Sequence, residues 1–246
     1  MMKLEVVVYN IDSALKALEG GADRIEVCAG PGEGGITPSF GTVEVIRQNV
    51  TCDVYVMIRP RGGDFHYSRY EFHAMKRDIT QYQKISVDGF VLGILNTDGT
   101  IDKARCRELI ERARPLKVTC HRAFDMTRDP FEALEDCIEV GFERILTSGH
   151  RTKAMEGIEL LSTLVERAKN RIIVMPGSGI NEENIADLSR KTRAAEFHFS
   201  ATVHRESEMI YRNHLLSGMG SQQNSEYYLR SVDPQIIRRI RAILVK

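Results

Sequence analysis

Eight short runs rich in β-branched and aromatic residues recur along this chain, and each is followed by a longer amphipathic stretch. The runs are LEVVVY (4–9), DRIEVCA (23–29), DVYVMIRP (53–60), DGFVLGIL (88–95), KVTCHRA (117–123), ERILTSG (143–149), RIIVMPGSGI (171–180) and AEFHFSA (195–201). Regular strand–helix alternation predicts a parallel sheet covered by helices. Eight such units in 246 residues select an α/β fold of one domain, a (β/α)8 TIM barrel over 1–246, rather than a doubly wound open sheet. Helices are predicted from Ile11, near 39–49, from about 69, near 102–114, from Asp129, near 153–169 and after an Asn181 cap. Ser68 and Glu71 have capping-box spacing, and Pro130 suits a first helical turn. The segment 201–231 shows no such pattern and is expected to fold over one end of the barrel, ahead of a C-terminal helix over 232–245.

Strand side chains alternate between the helix-facing and interior sides of a barrel. Leu4, Val6 and Val8 suit the helix side, so Glu5, Val7 and Tyr9 point inward. By the same parity Arg24, Glu26 and Cys28 point inward from the second strand, Tyr55, Met57 and Arg59 from the third, Thr119 and His121 from the fifth, and Glu196, His198 and Ser200 from the eighth. The fourth, sixth and seventh runs are too uniformly apolar for a parity assignment. The inward polar set is therefore Glu5, Glu26, Cys28, Arg59, His121, Glu196, His198 and Ser200. Buried charge is costly when unpaired, so these groups either pair, as a Glu5–Glu26–Arg59 ion network, or line a solvated pocket. Polar residues crowd the strand ends at Arg59–Arg61, His121–Arg122, Thr147–Ser148 and Pro176–Ser178. That placement favours a pocket at the C-terminal mouth, where barrels of this kind hold their sites.

The turn Gly177–Ser178–Gly179 follows the seventh strand and precedes a helix, where backbone N–H groups can hold an anion, with Arg59 or Arg61 as the cation. Expected ligand-binding residues are thus Glu5, Arg59, Arg61, Thr147, Gly177, Ser178, Gly179 and His198, with Glu26 and His121 as acid–base candidates. The five cysteines have no CxxC spacing, which argues against a disulfide framework or a zinc ribbon. The formal net charge is zero, so nucleic acid is not expected as a partner. No apolar run reaches membrane-spanning length and no leader pattern opens the chain, so a cytoplasmic protein is expected.

The stretches GGADRIEVCAGPGEGGITPS (20–39), MIRPRGGDFHYS (57–68), HRAFDMTRDP (121–130), RILTSG (144–149), MPGSGI (175–180), EFHFSA (196–201) and IYRN (210–213) together resemble the CutC family along nearly the whole chain. The resemblance implies a cytoplasmic TIM barrel assigned to copper homeostasis, binding Cu(I) with Cys28 as the metal contact. Cu(I) favours two or more thiolate or thioether ligands. The family pattern carries a cysteine at the position of Val7, beside Cys28 on the neighbouring strand, so Val7 removes the second thiol here. Cys52 lies at the other end of its strand, Cys120 faces the helices, and Cys106 and Cys137 lie on helices. The rival to copper is a barrel enzyme acting on a small anionic metabolite, phosphorylated or carboxylated. A third reading is a non-catalytic scaffold, and a homodimer is the expected assembly.

Overall fold

The computed structural model describes residues 2–215, 219 and 226–245. Eight parallel strands form the barrel: β1 (Lys3–Val8), β2 (Arg24–Val27), β3 (Asp53–Met57), β4 (Gly89–Leu92), β5 (Lys117–Cys120), β6 (Arg144–Thr147), β7 (Ile173–Pro176) and β8 (Glu196–Phe199). The strand order is β7-β6-β5-β4-β3-β2-β1-β8. The ring closes at the β7–β8 seam through a parallel bridge between Gly177 and His198. Around it stand α1 (Ile11–Glu19), α2 (Phe40–Asn49), α3 (Arg69–Tyr82), α4 (Lys103–Ala113), α5 (Pro130–Val140), α6 (Ile158–Ala168), α7 (Ile185–Thr192) and α8 (Pro234–Val245). Among the described residues no helix is long and apolar enough to cross a membrane.

Parity divides the apolar residues into two sets. Leu4, Val6, Val8, Ile25, Val27, Val54, Val56, Val118, Phe197 and Phe199 pack outward against the helices in one large core. Each such side chain contributes roughly 1.5–3 kcal/mol by leaving water. Val7, Cys28, Tyr55, Met57 and Val91 form a separate, smaller cluster inside the barrel. The inward positions of β4 include Gly89, and a Cβ there would lie 2.5 Å from the Tyr55 ring. Glycine thus lets that ring lie across the barrel floor.

Helix boundaries follow local chemistry. The Ser68–Glu71 capping box forms as its spacing predicts, and Pro130 opens α5 behind an Asp129 cap. Two expectations are corrected. The sixth helix begins at Ile158, because residues 151–157 form turns that reach over the mouth. The seventh begins after Asn184, because the Asn181 side chain instead accepts from the Glu183 and Asn184 amides.

The segment after β8 is not structureless where it is described. Strand β9 (Thr202–Glu206) pairs antiparallel with β10 (Tyr228–Val232). The base of this hairpin docks along α1, where Asn10 Nδ2, at the N-cap, donates to the Arg230 carbonyl at 3.0 Å and Lys16 Nζ, in the last turn, to Ser231 Oγ at 2.9 Å. Residues 216–218 and 220–225, also within the expected 201–231 segment, lie outside the described residues.

Candidate functional site

The barrel floor is an ion network. Arg24, from β2, pairs with Glu5 across the β1–β2 seam and with Glu196 at 2.6 Å. Arg144, from β6, meets Glu196 at 2.6 Å and donates to Thr119 Oγ1 at 3.1 Å. Both guanidiniums stand over the Tyr55 ring, 4.9 and 5.5 Å from its centroid, a further cationic stabilisation. All four charged groups are buried. Burial works against the Glu5 carboxylate, but Arg24 and then His198 outweigh it and bring Glu5 down to about 2. The expected Glu5–Glu26–Arg59 network is corrected here: Arg24 and Arg144 are the interior cations. Arg59 instead donates to the carbonyls of Glu33 (2.7 Å), Gly35 (3.0 Å) and Gly63 (2.8 Å), which ties down the loops after β2 and β3.

Above the floor, His198 Nδ1 meets Glu5 Oε1 at 2.7 Å, and its Nε2 stands 3.8 Å from Glu26. Since Glu5 is ionised, Nδ1 carries a proton. Burial opposes the charged ring, yet the Glu5 hydrogen bond and the two carboxylates outweigh it, so His198 titrates above its ordinary value. Among the described residues no lysine or arginine pairs with Glu26, whose cationic neighbour is the His198 ring at 3.8 Å when that ring is protonated. Burial is the largest influence on Glu26 and raises it to about 7, with Glu5 pushing the same way and His198 opposing. Its Oε1 is buried with no hydrogen-bond partner among the described residues.

Glu26 lines a cavity of about 100 Å3 at the C-terminal mouth, together with Arg59, Phe65, His121, Arg122 and His198. The His121 ring packs 4.8 Å from Phe65, and Arg59 covers the same Phe65 ring at 4.7 Å. The His121 imidazole fits only because β4 continues into Gly93, where a Cβ would lie 2.9 Å from Nδ1. Burial, aided by the Arg59 charge, drives His121 down to about 3, so the ring is neutral near pH 7. The Ala123 amide donates to Nδ1 at 3.2 Å. The proton therefore sits on Nε2, which is buried and has no hydrogen-bond partner among the described residues. A second chamber of about 230 Å3 adjoins the first; it shares Val7, Arg122 and His198 and adds Ser178, Gly179, Ile180 and Ser200. A larger cavity, about 570 Å3, lies at the opposite end of the barrel between Met2 and α8. Its Arg241 is engaged by Asp23 and the Gly21 carbonyl, and it carries no acid–base constellation.

The structure thus brings Glu26, Arg59, His121 and His198 to one cavity, and Ser178 and Gly179 to its neighbour, while Glu5 supports His198 from below. Gly177 forms the barrel seam, where a Cβ would lie 2.4 Å from Leu146. Two expected ligand-binding residues lie elsewhere. Thr147 has the outward parity of β6; its hydroxyl donates to Asp125 and accepts from the Gly149 amide. Arg61 lies on the outer rim and is held by Glu71 at 2.6 Å and Asp64 at 2.9 Å. Cys28 is buried beside Glu26, and a Cβ on Gly35 would sit 3.2 Å from its sulfur and 3.5 Å from the Met57 methyl. Burial and the Glu26 charge push its thiol well above the ordinary range. Among the described residues, no three His, Cys, Asp or Glu side chains are grouped as metal ligands.

The main residue missed is Arg122, which lines both chambers. Its Nε pairs with Asp125 at 2.7 Å and its Nη2 donates to Ser148 Oγ at 2.7 Å. Its position just past β5 was visible in the sequence, but its orientation depends on Asp125, in a short 3-10 turn with no periodic signal.

Comparison with known proteins agrees with this architecture. The CutC family model matches residues 2–203. A copper homeostasis protein cutC homolog of Homo sapiens is 48% identical over 240 residues, covering 98% of this chain and 88% of the relative. A family protein CutC of Mesorhizobium japonicum is also 48% identical, covering 95% of this chain and 91% of its own. The crystal structure of a CutC from Streptococcus agalactiae, assigned there to copper homeostasis, superposes with a TM-score of 0.78 at 31% identity, covering 81% of this chain and 99% of that one. Thiamine phosphate pyrophosphorylase from Pyrococcus furiosus shares the fold alone, with a TM-score of 0.58 at 17% identity and coverage of 99% and 96%. With eight parallel strands, eight helices and matched motifs from end to end, this chain belongs to the CutC family.

Proposed function

We propose that the barrel mouth is an active site that moves a proton at a carbon next to a carbonyl in a small anionic molecule. Glu26 is the acid–base group, and neutral His121 donates a hydrogen bond to the carbonyl oxygen. The observation that carries this reading is the Glu26 carboxyl itself, buried in a cavity wall with an unpartnered oxygen and brought by burial to about 7. A base works best when its pKa lies near the working pH. A neutral imidazole with a free Nε2–H stabilises a developing enolate oxygen without first protonating it, the division of labour known for a glutamate–histidine pair on another barrel.

The step balances within the site. The Glu26 carboxylate takes the proton from carbon, and the C–H electron pair moves into the carbonyl, whose oxygen gains charge against the His121 Nε2–H. Glu26 then returns a proton to the same carbon as the electron pair moves back from the oxygen, so the carbonyl re-forms. No oxidant or co-reactant is required. The Glu5 contact holds the His198 ring 3.8 Å from the Glu26 carboxylate, and its charge, when protonated, limits how far burial raises Glu26.

The relatives' copper assignment was tested on the donor set. Cys28 is the thiol of the mouth, its thiolate is disfavoured, and the neighbouring inward positions are Val7 on β1 and Tyr9 just beyond it. Met57 adds one soft thioether to that cluster. These residues do not fit a two-thiolate Cu(I) centre. Anaerobic Cu(I) titration is expected to show no stoichiometric tight site. One equivalent bound tightly and lost in Cys28→Ser would contradict this.

The proton-transfer reading is tested by incubating the protein in D2O with a panel of small phosphorylated and carboxylated α-hydroxy carbonyl compounds and following C–H signals by proton NMR. Exchange at one carbon of at least one compound is expected, lost in Glu26→Gln and slowed in His121→Gln. If no compound on the panel exchanges above the rate without protein, the reading is wrong.

A further inference from the structure

The second chamber gives the anionic end of the substrate a definite chemistry. We infer that the substrate is a phosphate monoester whose phosphate sits between Arg122, the turn after β7 and the start of the segment after β8. This rests on the proton-transfer reading for the reacting end, but its own evidence is separate. The chamber, about 230 Å3, is walled by Arg122, Ser178, Gly179, Ile180, His198 and Ser200. Among the described residues the amides of Gly179, Ile180 and Ser200 have no hydrogen-bond acceptor within the chain. The other polar groups of that turn are satisfied from behind, since the Ser178 carbonyl accepts from the Ala154 amide at 3.0 Å and its hydroxyl donates to the Thr152 carbonyl at 2.8 Å. Loop amides left without acceptors beside a cavity are an anion-binding arrangement.

Two side chains point to the same occupant. Arg122 is fixed through Nε by Asp125 and through Nη2 by Ser148 and the Arg151 carbonyl, while among the described residues its Nη1 has no hydrogen-bond partner. A guanidinium held in this way presents a fixed donor for a phosphate oxygen. His198 is 9% exposed, and its Nε2 makes no hydrogen bond although it borders both chambers. It therefore stands where an ester oxygen would cross from the phosphate to the reacting carbons.

Donors converge from three elements: Arg122 after β5, the 178–180 turn after β7 and Ser200 after β8. A phosphate offers terminal oxygens in three directions and can meet all three sets, whereas a planar carboxylate can face only part of them. The cation of the anion site is accordingly Arg122, not the Arg59 or Arg61 expected from the sequence.

The test uses inorganic phosphate on the full-length 15N-labelled protein near pH 7.5, following amide resonances. Saturable shifts centred on Ser178–Ile180 and Ser200 are expected, with affinity weakened at least tenfold in Arg122→Gln and unchanged in Glu26→Gln. Because Arg122 also holds Asp125, a second variant avoids all charge. In Gly179→Ala the new Cβ would meet Lys153 Cγ at 3.0 Å at a φ of +69°, moving the same amides, and phosphate binding is expected to weaken likewise. Absence of saturable shifts, shifts scattered over the surface, or acetate producing the same shifts with equal affinity would each overturn the phosphate assignment. Phosphate binding without C–H exchange on any phosphorylated compound would refute the reaction and leave the subsite standing. Exchange on carboxylated compounds alone, with no phosphate shifts, would do the reverse.

Discussion

Replacing Arg24 with methionine removes one charge from a buried ion network. Arg24 is 1% exposed, and its two partners, Glu5 and Glu196, are buried with it. Glu196 keeps Arg144 at 2.6 Å and Glu5 keeps His198 at 2.7 Å, so neither carboxylate is left wholly alone. Removing one partner of a buried pair costs about 3–5 kcal/mol, and the retained contacts place Arg24→Met near the lower end, at roughly 3 kcal/mol. In a chain of this size that lowers the melting temperature by roughly 10 °C. The deficit depends on pH with a defined sign. In the native protein Glu5 lies at about 2, below its ordinary 4.5; it stabilises the fold above pH 4.5, and that contribution is lost as pH falls through 2. Without Arg24 the opposing effect of burial prevails, Glu5 binds a proton more readily in the folded state, and the deficit shrinks as pH falls from 7 towards 4. Urea denaturation of both proteins at pH 7, 5.5 and 4 reads this directly. A deficit under 1 kcal/mol at pH 7, or one that is the same at all three pH values, would refute the network as described.

Arg59→Met is expected to act elsewhere. It leaves the floor carboxylates paired but frees the carbonyls of Glu33, Gly35 and Gly63, so amide hydrogen exchange should quicken across 30–37 and 61–65 while β1 and β2 stay protected. Glu26→Gln is expected to stabilise the protein above pH 7 and leave it nearly unchanged at pH 4. Burial raises Glu26 to about 7 from an ordinary 4.5, so its contribution is fully present below 4.5 and lost as pH rises through 7. The groups facing it are Glu5, His198, Cys28, Arg24 and Tyr9. Thermal melts from pH 4 to 8 check the sign, and a variant less stable than the native protein at pH 8 would contradict it.

Much of the barrel was legible because two periods, alternation within strands and strand–helix repetition along the chain, are written in apolar residues. The parity of β1, β2, β3, β5 and β8 placed Glu5, Glu26, His121, Glu196 and His198 inside correctly. Pairing was less legible. Arg24 has inward parity, but nothing in the sequence says which of two arginines, Arg24 or Arg59, reaches a carboxylate. That depends on height along the barrel axis: Arg24 is level with Glu5 in the β1–β2 register, whereas Arg59 lies beyond the end of β3 among loop carbonyls. Arg144 was hidden because RILT reads as a uniformly buried strand, and the same gap sent Thr147 to the wrong side. Arg122 and the open amides of 179–180 depend on loops that hold one another, through Asp125 in one case and Ala154 in the other, and such contacts between distant turns leave no period in the sequence.

The central claim is that the mouth holds a carboxyl poised to exchange protons near neutrality, and the ionisation of Glu26 tests it most directly. Carboxyl 13C NMR of the protein labelled at glutamate, assigned through Glu26→Gln, follows that single resonance from pH 3 to 9. The account predicts a midpoint near the value of about 7 that burial imposes. A Glu26 midpoint at or below the ordinary 4.5 would mean that the cavity solvates or pairs this carboxylate, and would contradict its role as the acid–base group.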